Sequence, residues 1–65
     1  MIRKGAKCIY TGKNPDILND NRYNNGQILT VIEKHNQHAQ IINTNWRIPE
    51  LSWASIPIKD LTQVK

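Results

Sequence analysis

Gly26-Gln27-Ile28-Leu29-Thr30-Val31-Ile32-Glu33, then Lys34-His35-Asn36-Gln37, then Ala39-Gln40-Ile41-Ile42-Asn43 is the stretch from which the architecture follows. Two β-branched runs flank a short polar segment, the pattern of a hairpin. On the first run Ile28, Thr30 and Ile32 share one face and Leu29 and Val31 the other, so both faces are expected to be partly covered. The chain closes with Ser52-Trp53-Ala54-Ser55-Ile56-Pro57-Ile58-Lys59-Asp60-Leu61, a strand broken by proline. A small all-β barrel of five short strands with its function on the loops is the expectation.

Outward from the hairpin, Ala6-Lys7-Cys8-Ile9-Tyr10 predicts a first strand, ended by Thr11-Gly12-Lys13-Asn14-Pro15. Asn14 to Gly26 is rich in Asn, Asp, Pro and Gly, residues that bend the backbone or bond to it locally, and predicts a long loop. Within it Asn14 and Pro15 suit the cap and first position of one helical turn, with Ile17 and Leu18 plugging the sheet edge. Asn24-Asn25-Gly26 supplies the positive φ that leads the chain into strand two, Gln27 to Glu33. Strand three is expected over Ala39 to Asn43, a loop over Thr44 to Glu50 and strand four over Leu51 to Ile56. Pro57-Ile58-Lys59-Asp60 predicts one 3₁₀ turn before a last strand, Leu61 to Val64. No long amphipathic helix is expected, which argues against helical bundles and doubly wound folds.

At 65 residues, with 38% hydrophobic residues and two tryptophans, the chain reads as a single domain whose interior is filled by packing. A pocket of several hundred Å³ would take volume from that interior, so catalysis and a small-molecule substrate are not expected. The lone cysteine, Cys8, cannot form an intrachain disulfide and suits a reducing, cytoplasmic setting. Neither a signal peptide nor a membrane span is expected. The net charge of +4 favours acidic partners, nucleic acid included.

Lys4-Gly5-Ala6-Lys7-Cys8-Ile9-Tyr10-Thr11-Gly12-Lys13, with Gly26 opening Gln27-Ile28-Leu29-Thr30-Val31-Ile32, resembles the SH3-like barrel superfold, and most of all its KOW-type modules from ribosomal proteins and transcription elongation factors. Pro57-Ile58-Lys59-Asp60-Leu61 is similar to the short turn before the last strand of many such barrels. The resemblance implies a five-stranded barrel and contact with RNA. Asn14 to Asn25 stand where a KOW motif has only a few residues.

The residues with the clearest binding character are Tyr10, Lys13, Arg22, Tyr23, Trp46 and Arg47, cations and flat aromatics at strand ends and in loops. Such a set suits single strands, where bases stack on rings and cations meet phosphates. It equally suits a protein interface, since Trp, Tyr and Arg dominate interface hot spots. Trp53, inside an apolar strand, is expected in the core, and Trp46, between Asn45 and Arg47, outside it. Cys8 is expected as a small core residue rather than a nucleophile, and Ser52 and Ser55 as strand surface. Glu33, His35 and His38 are solvated turn residues rather than a metal site, and no cofactor is expected. The expected function is a non-enzymatic binding module contacting RNA or single strands, the alternative being an adaptor or inhibitor of phage or mobile-element type with a protein partner. A monomer or weak dimer is expected.

Overall fold

A computed structural model describes residues 2–24 and 26–64. The chain is all-β, with five antiparallel strands in one sheet: β1 (Lys7–Tyr10), β2 (Leu29–His35), β3 (His38–Ile42), β4 (Ala54–Pro57) and β5 (Leu61–Gln63). Their order across the sheet is β4-β3-β2-β1-β5. One core cluster takes Cys8 and Tyr10 from β1, Leu29 and Val31 from β2, Ala39 and Ile41 from β3, Ile56 from β4 and Leu61 from β5. Side chains of both outer strands meet in that cluster, so the sheet coils about it.

Alternation sets this core. Leu29 and Val31 are buried, while Ile28 and Ile32 are 38% and 37% exposed, so one of the two apolar faces of β2 points outward. The hairpin turn is tighter than expected, because β2 and β3 pair up to His35↔His38 and leave only Asn36 and Gln37 to reverse the chain. Asn36 takes φ 54, a left-handed conformation that asparagine tolerates better than most residues.

The β2–β3 register shifts between Val31 and Glu33, so Ile32 is an extra residue in the ladder. Simple alternation from Val31 would send Glu33 inward. The bulge instead pairs Glu33 with Gln40, on the outer side, and Lys34 with the buried Ala39, on the inner side at the end of the sheet.

The connections follow local chemistry. Gly5, at φ 88, sits third in a turn closed by the Ala6 amide on the Arg3 carbonyl, 2.9 Å, a position that glycine fills without strain. A helical turn α1 (Pro15–Leu18) starts as expected, with the Asn14 side chain accepting from the Asp16 amide at 3.0 Å. Ile17 packs against the core, but Leu18 is 46% exposed, because a single turn presents only one side to the sheet. Gly26 has φ 77; Asn25, part of the expected turn, lies outside the described residues. A 3₁₀ turn, Ile58–Asp60, leads into β5 as expected.

Segment 51–56 departs most from expectation. Leu51 belongs to a 3₁₀ turn, Pro49–Leu51, and β4 begins only at Ala54. Ser52 is 0% exposed and Ile56 is buried, whereas Leu51 and Trp53 are 62% and 57% exposed. Trp53 is therefore an outer residue and Ser52 an inner one, the reverse of the expected arrangement. The cause is hydrogen bonding: the Asn43 amide donates to Ser52 Oγ at 2.9 Å, and the hydroxyl proton has the Pro49 carbonyl at 2.7 Å and the Asn43 carbonyl at 3.1 Å as acceptors. With Ser52 held inside, the two-residue period turns its neighbours out.

Candidate binding surfaces

The six residues with binding character do not form one surface. Tyr10 and Tyr23 are 9% and 2% exposed and belong to the core, which corrects their reading as stacking platforms. Each phenol has a structural task. Tyr10 Oη accepts the Asn14 amide at 3.0 Å and so anchors the start of α1, while Tyr23 Oη donates to the Ser52 carbonyl. Burial raises the Tyr23 pKa above its ordinary value, which keeps that donor proton in place.

Arg22 is also committed. Its Nε and Nη2 bond the Asp20 carboxylate at 3.0 and 2.7 Å, Nη1 donates to the Leu51 carbonyl, and the guanidinium lies 5.1 Å from the Tyr23 ring centre. These bonds hold the Asp20 carboxyl below its ordinary pKa. Arg22–Asp20 is the single ion pair within 4 Å among the described residues.

Trp46 is half-buried, and the Arg47 guanidinium stands 5.6 Å from its ring centre, so part of this aromatic face is occupied. Lys13 and Arg47 are exposed. Of the six, these two and part of Trp46 remain open to a partner.

What the residue pattern missed is Asn43, 1% exposed. Its Nδ2 donates to the Arg22 carbonyl at 2.8 Å and to Gln27 Oε1 at 3.2 Å, and its Oδ1 accepts the Asn45 amide at 2.9 Å. Asn43, Ser52 and Tyr23 join three loops into one buried polar clasp. An asparagine at the end of a strand reads as a turn residue, and no sequence signal separates that from this role.

The outward apolar residues form a second candidate surface. Lys7 pairs with Thr30 and Thr30 with Ile42, and extending the β3–β4 register one residue beyond Ile41↔Ala54 sets Trp53 beside Ile42. Trp53, Ile42, Ile28 and Ile32 thus share the outer face of the sheet around Thr30, with Lys7 Nζ bonded to Thr30 Oγ1 at 2.7 Å on its margin. Leu51 and Ile48, 62% and 51% exposed, continue the apolar character into the neighbouring turn.

A groove of about 680 Å³ lies elsewhere, at the hairpin tip, lined by Lys34, Asn36, Gln37, His38, Pro57, Ile58 and Lys59. It is a surface feature and leaves the core intact. No three His, Cys, Asp or Glu side chains converge among the described residues, and no helix there is long and apolar enough to cross a membrane. No family model, curated protein or solved structure matches the chain.

Proposed function

We propose that the chain is a non-enzymatic binding module of the SH3-like kind, and that it docks a protein partner on the outer face carrying Trp53. The observation that carries this reading is the inverted pattern at residues 51–53: Ser52 occupies the interior while the large apolar Leu51 and Trp53 on either side of it face solvent. A fold that keeps a serine inside and a tryptophan outside departs from the burial rule where function most often demands it. Tryptophan flanked by isoleucines has the composition of an interface hot spot. Lys7 on its margin suits an acidic rim on the partner. The five antiparallel strands and the 3₁₀ turn before the last of them support the SH3-like resemblance. A binding role over a catalytic one is supported by Cys8, which is 0% exposed and whose thiol pKa burial raises, the opposite of what a nucleophile needs.

The test is capture of partners by the wild-type chain and by Trp53→Lys. Expected is one stoichiometric partner, retained at raised salt by the wild type and lost by a variant whose circular dichroism and melting temperature are unchanged. Equal capture by both proteins would remove the outer face from consideration.

Contact with RNA or single strands is a second reading, favoured by charge. The chain carries nine Lys and Arg against five Asp and Glu, and only Arg22 is paired with a carboxylate among the described residues. Titration into labelled single strands at low ionic strength tests it, since phosphate contacts give steep salt dependence. No signal at the lowest salt would end it.

A further inference from the structure

We propose that the groove at the tip of the β2–β3 hairpin binds a nucleotide phosphate, with Lys34 and Lys59 on the phosphate and Asn36 and Ile58 beside the base. This deepens the nucleic-acid reading and is independent of the Trp53 face.

The groove's volume, about 680 Å³, lies within the range of small-molecule sites, roughly 300 to 1,000 Å³. Its two lysines come from different elements, Lys34 from β2 and Lys59 from the second 3₁₀ turn, and both line the groove. Neither has a carboxylate within 4 Å among the described residues, and none lines the groove. The fold produces this imbalance. The bulge at Ile32 sends Glu33 to the outer face beside Gln40 and brings Lys34 to the inner side, at the mouth of the groove. Asp60, next to Lys59, instead lies against Gly12, where an added Cβ would come within 2.6 Å of its Cγ. Each wall thus keeps its cation and turns the adjacent carboxylate away.

The remaining lining suits a nucleoside. Ile58 offers an apolar surface, and the Asn36 amide carries both a donor and an acceptor, as a base edge does. The Ile58 amide donates to the Gln37 carbonyl at 2.8 Å, which ties the two walls together and fixes the groove's width before any ligand arrives. An acidic peptide would use the lysines but leave the Asn36 amide without a matched partner.

Two sources share this chemistry, a free mononucleotide and the phosphodiester of a single strand. Amide chemical shifts of the ¹⁵N-labelled chain are followed during titration with uridine 5′-monophosphate, oligouridine, inorganic phosphate and a polyglutamate peptide. Expected are saturable shifts centred on Asn36, His38, Ile58 and Lys59. Shifts with the mononucleotide support a free ligand, and shifts with oligouridine alone support a strand.

Lys34→Ala with Lys59→Ala should weaken binding by about tenfold or more and lower the salt slope by about 0.7 per lysine for a strand. Lys34→Arg with Lys59→Arg, which keeps both charges, should retain binding, and Lys4→Ala, at an exposed lysine outside the groove, should leave it within about twofold. Both lysines are exposed, and the shift spectrum itself reports whether each variant is folded. Shifts as strong with polyglutamate as with nucleotide would overturn the proposal in favour of a peptide site, and inorganic phosphate binding as tightly as the nucleotide would remove the base contacts. No groove shift with any probe would overturn it. Oligouridine binding that is indifferent to the double alanine variant would refute the groove while leaving the nucleic-acid reading standing.

Discussion

Replacing Asn43 with alanine isolates the clasp. The side chain makes three hydrogen bonds, to the Arg22 carbonyl, Gln27 Oε1 and the Asn45 amide, at 2.8, 3.2 and 2.9 Å, and the residue is 1% exposed. At about 1 kcal/mol per bond the loss is about 3 kcal/mol. A domain of this size has an unfolding free energy of roughly 3 to 10 kcal/mol. With an unfolding entropy of about 2.1 cal/mol/K per residue, the loss lowers the melting temperature by about 20 °C. Thermal melts followed by circular dichroism measure it, and an unchanged urea m-value shows that the unfolding reaction is the same.

Asn43→Asp sharpens the result. One oxygen still accepts from Asn45, but the other meets the Arg22 carbonyl and Gln27 Oε1, two acceptors. Desolvation and those acceptors raise the folded pKa of that carboxyl above its unfolded value of about 3.9, so the folded state holds the proton more tightly. Stability of this variant then falls as pH rises through that window, and its deficit against wild type is larger at neutral pH than at pH about 4. An alanine variant melting within about 5 °C of wild type, or an aspartate variant with a pH-independent deficit, would refute the clasp.

Three further outcomes follow from other contacts. Asp20 has a depressed folded pKa, so its contribution is present above the unfolded value of about 3.9 and lost as pH falls through the folded one; Asp20→Asn should flatten the acid limb of a stability–pH curve, and an unchanged limb would count against the Arg22 pairing. Cys8 and Tyr23 have raised folded pKa values, so stability should decline above about pH 8.5 and again above about 10 as the unfolded chain sheds protons that the folded one keeps; Cys8→Val should remove the first decline, and thiol labelling of wild type should track unfolding. At Gly12 a Cβ would lie 2.5 Å from Tyr10 Oη and 2.6 Å from Asp60 Cγ, so Gly12→Ala should cost about 1 to 3 kcal/mol. Adding Asp60→Gly, which removes both of the close Asp60 carbons, should recover part of that cost in a double-mutant cycle, and strict additivity would mean the crowding does not involve Asp60.

Much of the fold was legible because local chemistry and tertiary packing agree in it. Apolar Leu29 and Val31 and the polar tip at Asn36 and Gln37 mark the hairpin whatever surrounds them, and Asn14-Pro15 starts a helical turn from its own side chain. Legibility failed where a hydrogen bond between distant segments outranked hydrophobicity. Ser52 reads as surface and Trp53 as core until Asn43, nine residues earlier, takes the serine hydroxyl. Tyr23, in a loop of polar residues, reads as exposed because its acceptor, the Ser52 carbonyl, is 29 residues away. The bulge at Ile32 carries no glycine or proline, so the inward turn of Lys34, and with it the groove, was invisible to alternation alone. Charge and composition point to binding without saying where, since the aromatic residues that suggested a surface proved to be divided between interior and exterior.

The pairing of β1 with β5 brings Thr11 Oγ1 and Thr62 Oγ1, 51 residues apart, to 2.9 Å. Closing a loop of that length carries an entropic cost of about 3.5 kcal/mol beyond a constant, against almost nothing for the two-residue reversal between β2 and β3. The hairpin is therefore expected to form first and β5, held by the three pairs from Cys8↔Gln63 to Tyr10↔Leu61, to dock last. Amide hydrogens at the centre of the hairpin should exchange slowest, and those of β5 should escape through openings that leave the other strands assembled.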